Sequence, residues 1–139
     1  MTSGKIDVRW YDETKRVIHL TYTGAWTLAD YRQAEIDAQT LLMDVKNNVC
    51  VLADLSQSTA IPQGGLLRIA KAYVDAPPNL DITLIVGADW LHEAILTAVG
   101  RITPPEVSTL YFVNTLEEAI TFLERYLTGD NENNKTANS

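Results

Sequence analysis

At 139 residues, 46% hydrophobic and 21% charged, the chain has the size of one domain with one core, which excludes a fibrous repeat, a disordered chain or a pair of full domains. Eleven Lys plus Arg against eighteen Asp plus Glu leave a net charge of −7, a field that repels phosphate backbones and anionic membrane surfaces. No Lys/Arg cluster is interleaved with aromatics, so no nucleic-acid partner is expected.

Residues Lys5 to Tyr11 alternate, with Ile6, Val8 and Trp10 against Asp7 and Arg9, the period of a half-buried strand. Asp12-Glu13-Thr14-Lys15 reads as a turn. Arg16 to Thr23 resumes the alternation with Ile18, Leu20 and Tyr22 on one face, so the first unit is a β-hairpin closing at Gly24. Thr27 and Asp30 have the capping-box form, and Trp26 just ahead of them is placed to staple onto Tyr31. The helix that starts there carries Leu28, Tyr31, Ala34, Ala38, Leu41, Leu42 and Val45 on one stripe and ends near the Lys46-Asn47-Asn48 turn.

Val49 to Ala53, ending in Asp54, is a continuous apolar run, as are Ile82 to Val86, ending at Gly87, and Thr109 to Val113. Such runs mark strands covered on both faces of a parallel sheet. Cys50, the single cysteine, lies inside the first of them, where it packs as a small hydrophobe. Two helices connect the runs: Gly65 to Ala76, stopped by Pro77-Pro78, and Trp90 to Val99, stopped by Gly100 with Pro104-Pro105 beyond. Thr115 with Glu118 opens the last helix, whose stripe is Leu116, Ala119, Ile120, Leu123 and Leu127 and whose terminator is Gly129. Residues 129–139 are polar and aperiodic and are expected to be a disordered tail.

The order β-β-α-β-α-β-α-β-α predicts an α/β fold in one domain over residues 1–128: a mostly parallel five-stranded sheet with four helices and one antiparallel strand from the hairpin. No run reaches membrane-spanning length, Met1 to Lys5 holds no apolar signal core, and a lone cysteine forms no internal disulfide. A cytoplasmic setting is therefore expected.

In open α/β sheets, ligands gather at the carboxyl ends of the strands. That edge is expected to carry Trp26, Asp54, Ser56, Ser58, Thr59, Gly64, Gly65, Asp89 and Trp90, with Arg68 and Lys71 on the polar side of the second helix. Two tryptophans near one edge suit an apolar pocket wall, although the staple to Tyr31 already accounts for Trp26. Asp54 reads as a general base or cation ligand, or more plainly as an acceptor for backbone N–H groups of the loop after it. Ser56, Ser58 and Thr59 are assigned to that loop, where a phosphate would order them against the next helix and where ordinary loop polarity explains them without one.

Gly64-Gly65 offers N–H groups to an anion but lacks the Lys-Ser/Thr of a P-loop and belongs to no GxGxxG. His19 lies on the strand face opposite Ile18, Leu20 and Tyr22, and His92 with Glu93 reads as a solvated helix start. No His-x-x-x-His or Cys-x-x-Cys spacing occurs, so neither a metal nor a cofactor is expected. A hydrolase or transferase using Asp54 with Ser56 or His92 ranks below two non-catalytic readings, because no nucleophile, histidine and acid stand together.

The strand end Asp54-Leu55-Ser56, the helix entry Gly64-Gly65-Leu66 and the final Thr115-Leu116-Glu117-Glu118-Ala119 helix, in this order of elements, resemble the STAS domain over Ile6 to Leu127. STAS is the sulfate-transporter and anti-sigma-factor-antagonist family. The start of the first helix, Gly24-Ala25-Trp26-Thr27, is most similar to a branch of stand-alone uncharacterised bacterial proteins that shares its fold with CRAL-TRIO lipid-binding domains. The resemblance implies a non-catalytic regulatory module that docks a protein partner on the Ser56 to Gly65 loop and the second helix. Signalling members are phosphorylated on a serine within Asp-Ser-Ser-Gly-Leu at the start of the second helix. The matching Pro62-Gln63-Gly64-Gly65-Leu66 keeps the Gly and Leu but has neither the Asp nor the serines, so no phosphorylated residue is carried over. The alternative is a small apolar ligand or lipid in a cleft between Trp26, Trp90 and the second helix. A homodimer through the hairpin edge strand or an exposed helix face also fits.

Overall fold

In a computed structural model, which describes residues 4–74, 77–100 and 110–128, the first alternating run becomes β1 (Lys5–Trp10). It pairs antiparallel with β2 (Val17–Ala25), from Lys5↔Thr23 to Trp10↔Ile18. The turn between them is set by Asp12, whose carboxylate accepts the Thr14 N–H at 3.0 Å, and by Lys15 in the left-handed region at φ 55°. Helix α1 (Leu28–Met43) starts with both arms of its capping box in place. Thr27 Oγ1 accepts from the Asp30 N–H at 3.1 Å, and the Asp30 carboxylate accepts from the Thr27 N–H at 2.9 Å.

The chain continues through β3 (Val49–Ala60), α2 (Gly65–Val74), β4 (Leu80–Val86), α3 (Asp89–Gly100), β5 (Leu110–Val113) and α4 (Leu116–Leu127). Thr115 caps α4 by accepting from the Glu118 N–H at 3.1 Å. Among the described residues the fold is thus α/β, with five strands in the spatial order β1-β2-β3-β4-β5 and four helices. Among the described strands only β1 and β2 pair antiparallel.

Successive parallel strands added in one direction through right-handed crossovers place every crossover helix on the same face of the sheet. That face packs Tyr31 and Leu42 of α1, Ile69 and Ala70 of α2, and Leu91, Ile95 and Val99 of α3 against Ile18, Leu20, Ala53 and Ile85. After β5 the chain returns across the opposite face, where Ala119 and Leu123 of α4 close over Cys50, Leu52, Ile82, Leu84 and Val86. Strands β3 and β4 are covered twice, which is why their sequences are apolar without alternation.

Helix α1 ends at Met43 with Asp44 as its C-cap, two residues before the expected Val45, which still packs against the core. The expected Gly129 terminator, the tail, the Pro104-Pro105 stop, the Thr109 strand start and the last two residues of the second helix lie outside the described residues. No helix among the described residues is long and apolar enough to cross a membrane.

Candidate functional site

The largest departure from expectation builds the site. Strand β4 stops pairing with β3 at Asp54↔Val86, but β3 runs on against β2 alone, with Gln57↔Thr23, Ser58↔Gly24 and Ala60↔Ala25. Ser56, Ser58 and Thr59 therefore belong to a two-stranded ribbon that projects beyond the sheet, and the expected loop starting after Asp54 is corrected to strand through Ala60. A ribbon solvated on its free edge needs no apolar run, so its polar sequence imitates a loop.

The chain then turns into α2 through Gly64, in the left-handed region at φ +83°. The Gly65 N–H donates to the Pro62 carbonyl at 2.8 Å, and a Cβ on Gly65 would lie 2.9 Å from Ile61 Cγ2 and 3.1 Å from Trp26 Cη2. One glycine supplies the turn and the other the close approach, so the pair is explained without an anion.

Between the end of this ribbon, the 61–64 connection, α2 and α3 lies a solvent-open groove of about 1120 Å³. Its walls are mainly apolar, from Leu55, Ile61, Leu66 and Leu67 on one side to Leu91, Ala94 and Ala98 of α3 on the other. Two large apolar side chains stand open to water on its banks: Leu67 is 49% exposed and Trp90 64%. Ser58 and Thr59 give it a polar end, and Glu93 is the one charged residue among the described lining.

Of the residues expected at this edge, Ser58, Thr59, Gly64 and Trp90 line the groove, and Gly65 backs it. Trp26 does not wall it. Its ring is buried in the core, edge-on to Tyr22 at 5.1 Å and tilted against Tyr31 at 6.1 Å as the staple requires, while its Nε1–H donates to Ser58 Oγ at 2.9 Å. The expected cleft between Trp26 and Trp90 is thus corrected to a groove that only Trp90 enters.

Asp54 precedes Leu55, which packs in the three-helix core, and so falls on the other face of the sheet, and a register shift between Asp54 and Gln57 leaves Ser56 turned toward it. There the buried Asp54 carboxylate accepts from the Ser56 N–H at 2.9 Å and the Ser56 hydroxyl at 2.6 Å, a local structural role. Asp89 opens α3, exposed and outside the groove lining. Arg68 is exposed on α2, and its charge is felt by Tyr31 of α1, on the side away from α3.

Sequence reading missed Leu67, Leu91, Ala94 and Ala98. Their signal was present: Leu66-Leu67 doubles the apolar stripe of α2, and Leu91, Ala94 and Ala98 recur at helical spacing beside the buried Ile95 and Val99.

The expected solvated start at His92 is corrected, since its Nε2 is buried without a hydrogen-bond partner among the described residues and its ring lies 4.7 Å from that of Phe112. Burial pushes the Cys50 thiol up to about 11, with Asp81 adding to the effect, so it is a protonated, inert thiol near neutral pH. His19 is held below its usual value, chiefly by burial. No group of three or more His, Cys, Asp and Glu side chains fit to hold a metal occurs among the described residues.

The sheet order, the four helices and the groove at the carboxyl edge define a SpoIIAA-like fold, the fold of STAS domains. Among solved structures the chain is similar to an uncharacterized protein of the DUF3478 family with a SpoIIAA-like fold from Shewanella loihica PV-4. The two share 17% sequence identity over 88% of this chain and 95% of that one, with a TM-score of 0.59. No family model matches the sequence, and no curated protein matches it.

Proposed function

We propose that the chain is a non-catalytic regulatory module that docks a protein partner in the groove between α2 and α3. The observation that carries this reading is the exposure of Leu67 and Trp90 on the two helices that bank one groove. Apolar surface concentrated in a concave, polar-rimmed site marks an interaction surface, and Trp is among the side chains that most often anchor one. The SpoIIAA-like fold supports it, because the resemblance to STAS domains implies partner docking at this edge. The single buried, protonated cysteine suits a reducing cytoplasm.

The test compares affinity captures from native cells using the intact chain and a Leu67→Glu/Trp90→Glu variant. A defined protein enriched on the intact chain and reduced at least about tenfold on the variant, a loss of about 1.4 kcal/mol, is the expected result. Capture of nothing above background, or undiminished capture by the variant, rejects the reading.

The volume and apolar walls of the groove favour a second reading, in which a fatty acid or isoprenoid occupies it. Binding would remove Trp90 from water and shift its fluorescence. An unchanged spectrum across a panel of fatty acids and isoprenoids rejects this alternative.

A further inference from the structure

A second cavity, of about 110 Å³ and partly open to solvent, lies between α1, α2 and the sheet and shares no lining residue with the groove. Its origin is legible in the packing. Ala38 of α1, Ala53 of β3 and Ala70 and Ala72 of α2 all line it, so small side chains meet small side chains where interdigitation calls for a large one opposite. Most of the remaining wall is aliphatic, including Leu20, Leu42, Ile69, Ile85 and Ile95.

Three hydroxyl side chains break that apolar wall. Tyr22, Tyr31 and Thr83 line the cavity at 3%, 6% and 8% exposure, and none of their hydroxyls donates a hydrogen bond among the described residues. Their hydroxyls reach the space of the cavity and form a polar handle at a site otherwise fit for hydrocarbon. Burial raises the pKa of both phenols, with Tyr31 and Glu35 adding to the effect at Tyr22 and Glu35 at Tyr31, so they remain proton donors across the physiological range. Half-buried Glu35 and exposed Gln39 of α1 line the same cavity, and a carboxylate there disfavours an anionic guest.

We infer that this cavity is a binding site for a small neutral molecule, mostly hydrocarbon and bearing one oxygen acceptor, such as a cyclic ketone or alcohol of about four to six heavy atoms. The size follows from comparison with apolar protein cavities of about 150 Å³, which take up benzene. The acceptor oxygen meets the Tyr22, Tyr31 and Thr83 hydroxyls, and the hydrocarbon meets the alanines and isoleucines. This inference does not depend on what occupies the groove.

The test is a titration of the full chain, labelled at its isoleucine δ1-methyl groups, with cyclopentanone, with its shape-matched hydrocarbon methylenecyclopentane, and with valerate as an anion. Cyclopentanone is expected to shift Ile69, Ile85 and Ile95 saturably while leaving exposed Ile36 unmoved. The hydrocarbon is expected to bind about fivefold more weakly, the worth of roughly one net hydrogen bond, and valerate not at all. Tyr31→Phe should weaken cyclopentanone by a similar factor and leave methylenecyclopentane unchanged. Ala38→Leu, which fills the cavity from the α1 side, should abolish binding of both; if it loses its near-ultraviolet circular dichroism, Ala72→Val serves instead. Absence of a saturable shift at the three isoleucines, hydrocarbon binding as tight as the ketone's, or full binding by a folded cavity-filled variant overturns the inference.

Discussion

One helix covers one face of the sheet and three cover the other, yet both the groove and the cavity lie on the three-helix face. Helix α4 has a single interface to satisfy. Ala119, fully buried, lets it sit close over Leu52, Leu84 and Val86, and the edge is sealed by Phe122 against Tyr111 at 5.0 Å and by the Tyr126 hydroxyl donating to Asp81 at 2.8 Å. On the opposite face α1, α2 and α3 must fit the sheet and one another. Three convex elements on one twisted sheet leave space between them unless large side chains fill it, and here alanines line the seam. The difference separates a scaffold face, closed by one helix, from a face that keeps open space between three.

The contrast breaks or stands on a pair of truncations. Leu52→Ala, under α4, is expected to cost about 4 kcal/mol, because a void in a filled layer loses both transfer free energy and contacts. Ile69→Ala, on the cavity wall, should cost about 2 kcal/mol, since part of its side chain already faces open space. Urea midpoints for the two variants decide the matter, and equal losses would mean that the faces are equally well packed. A smaller effect sharpens the role of the β3 ribbon. Ser58→Ala leaves the buried Trp26 indole N–H without its acceptor and should cost about 1.5 kcal/mol. A loss under about 0.5 kcal/mol, typical of a surface change, would show that the ribbon does not hold Trp26 in place.

The scaffold was legible because its signals are local. Alternation in Lys5 to Trp10, capping boxes at Thr27/Asp30 and Thr115/Glu118, and unbroken apolar runs in β3 and β4 each lie within a few residues of sequence. What escaped depends on distant neighbours. The ribbon of β3 is strand only because Thr23 to Ala25 pair with it after β4 has ended. His92 looked solvated because Phe112, which covers it, arrives twenty residues later. The topological edge rule gathered Ser58, Thr59, Gly64 and Trp90, which line the groove, but also drew in Asp54 and Ser56, which do not. Parity sends Asp54 to the opposite face from Leu55, a signal that was available, whereas Ser56 stands at a register shift that only the pairing with β2 reveals. The cavity had no signature at all, since it arises where alanines from separate elements meet.

The smallest effect expected lies on the scaffold face beyond the reach of α4, where β1 and β2 present Asp7, Arg9, His19 and Thr21. His19 is half-buried, its Nε2 3.5 Å from Thr21 Oγ1 and its ring 6.2 Å from Tyr11. Burial lowers its pKa most; Asp54 and Asp7 pull it up and Arg9 pulls it down, leaving it below 6.5. Between its folded value and 6.5 the unfolded chain binds more protons, so stability rises with pH across that window and is lost as the medium is acidified from 6.5 downward. Urea titrations between pH 7.5 and 5.0, run on the intact chain and on His19→Gln, should show a shallower loss in the variant. Identical slopes would mean that the ring is hydrated and that this uncovered half of the face is open sheet surface. A steeper loss in the variant would reverse the sign, making the imidazolium's attraction to Asp54 and Asp7 stronger than its desolvation and turning the same patch into a charge-stabilised one.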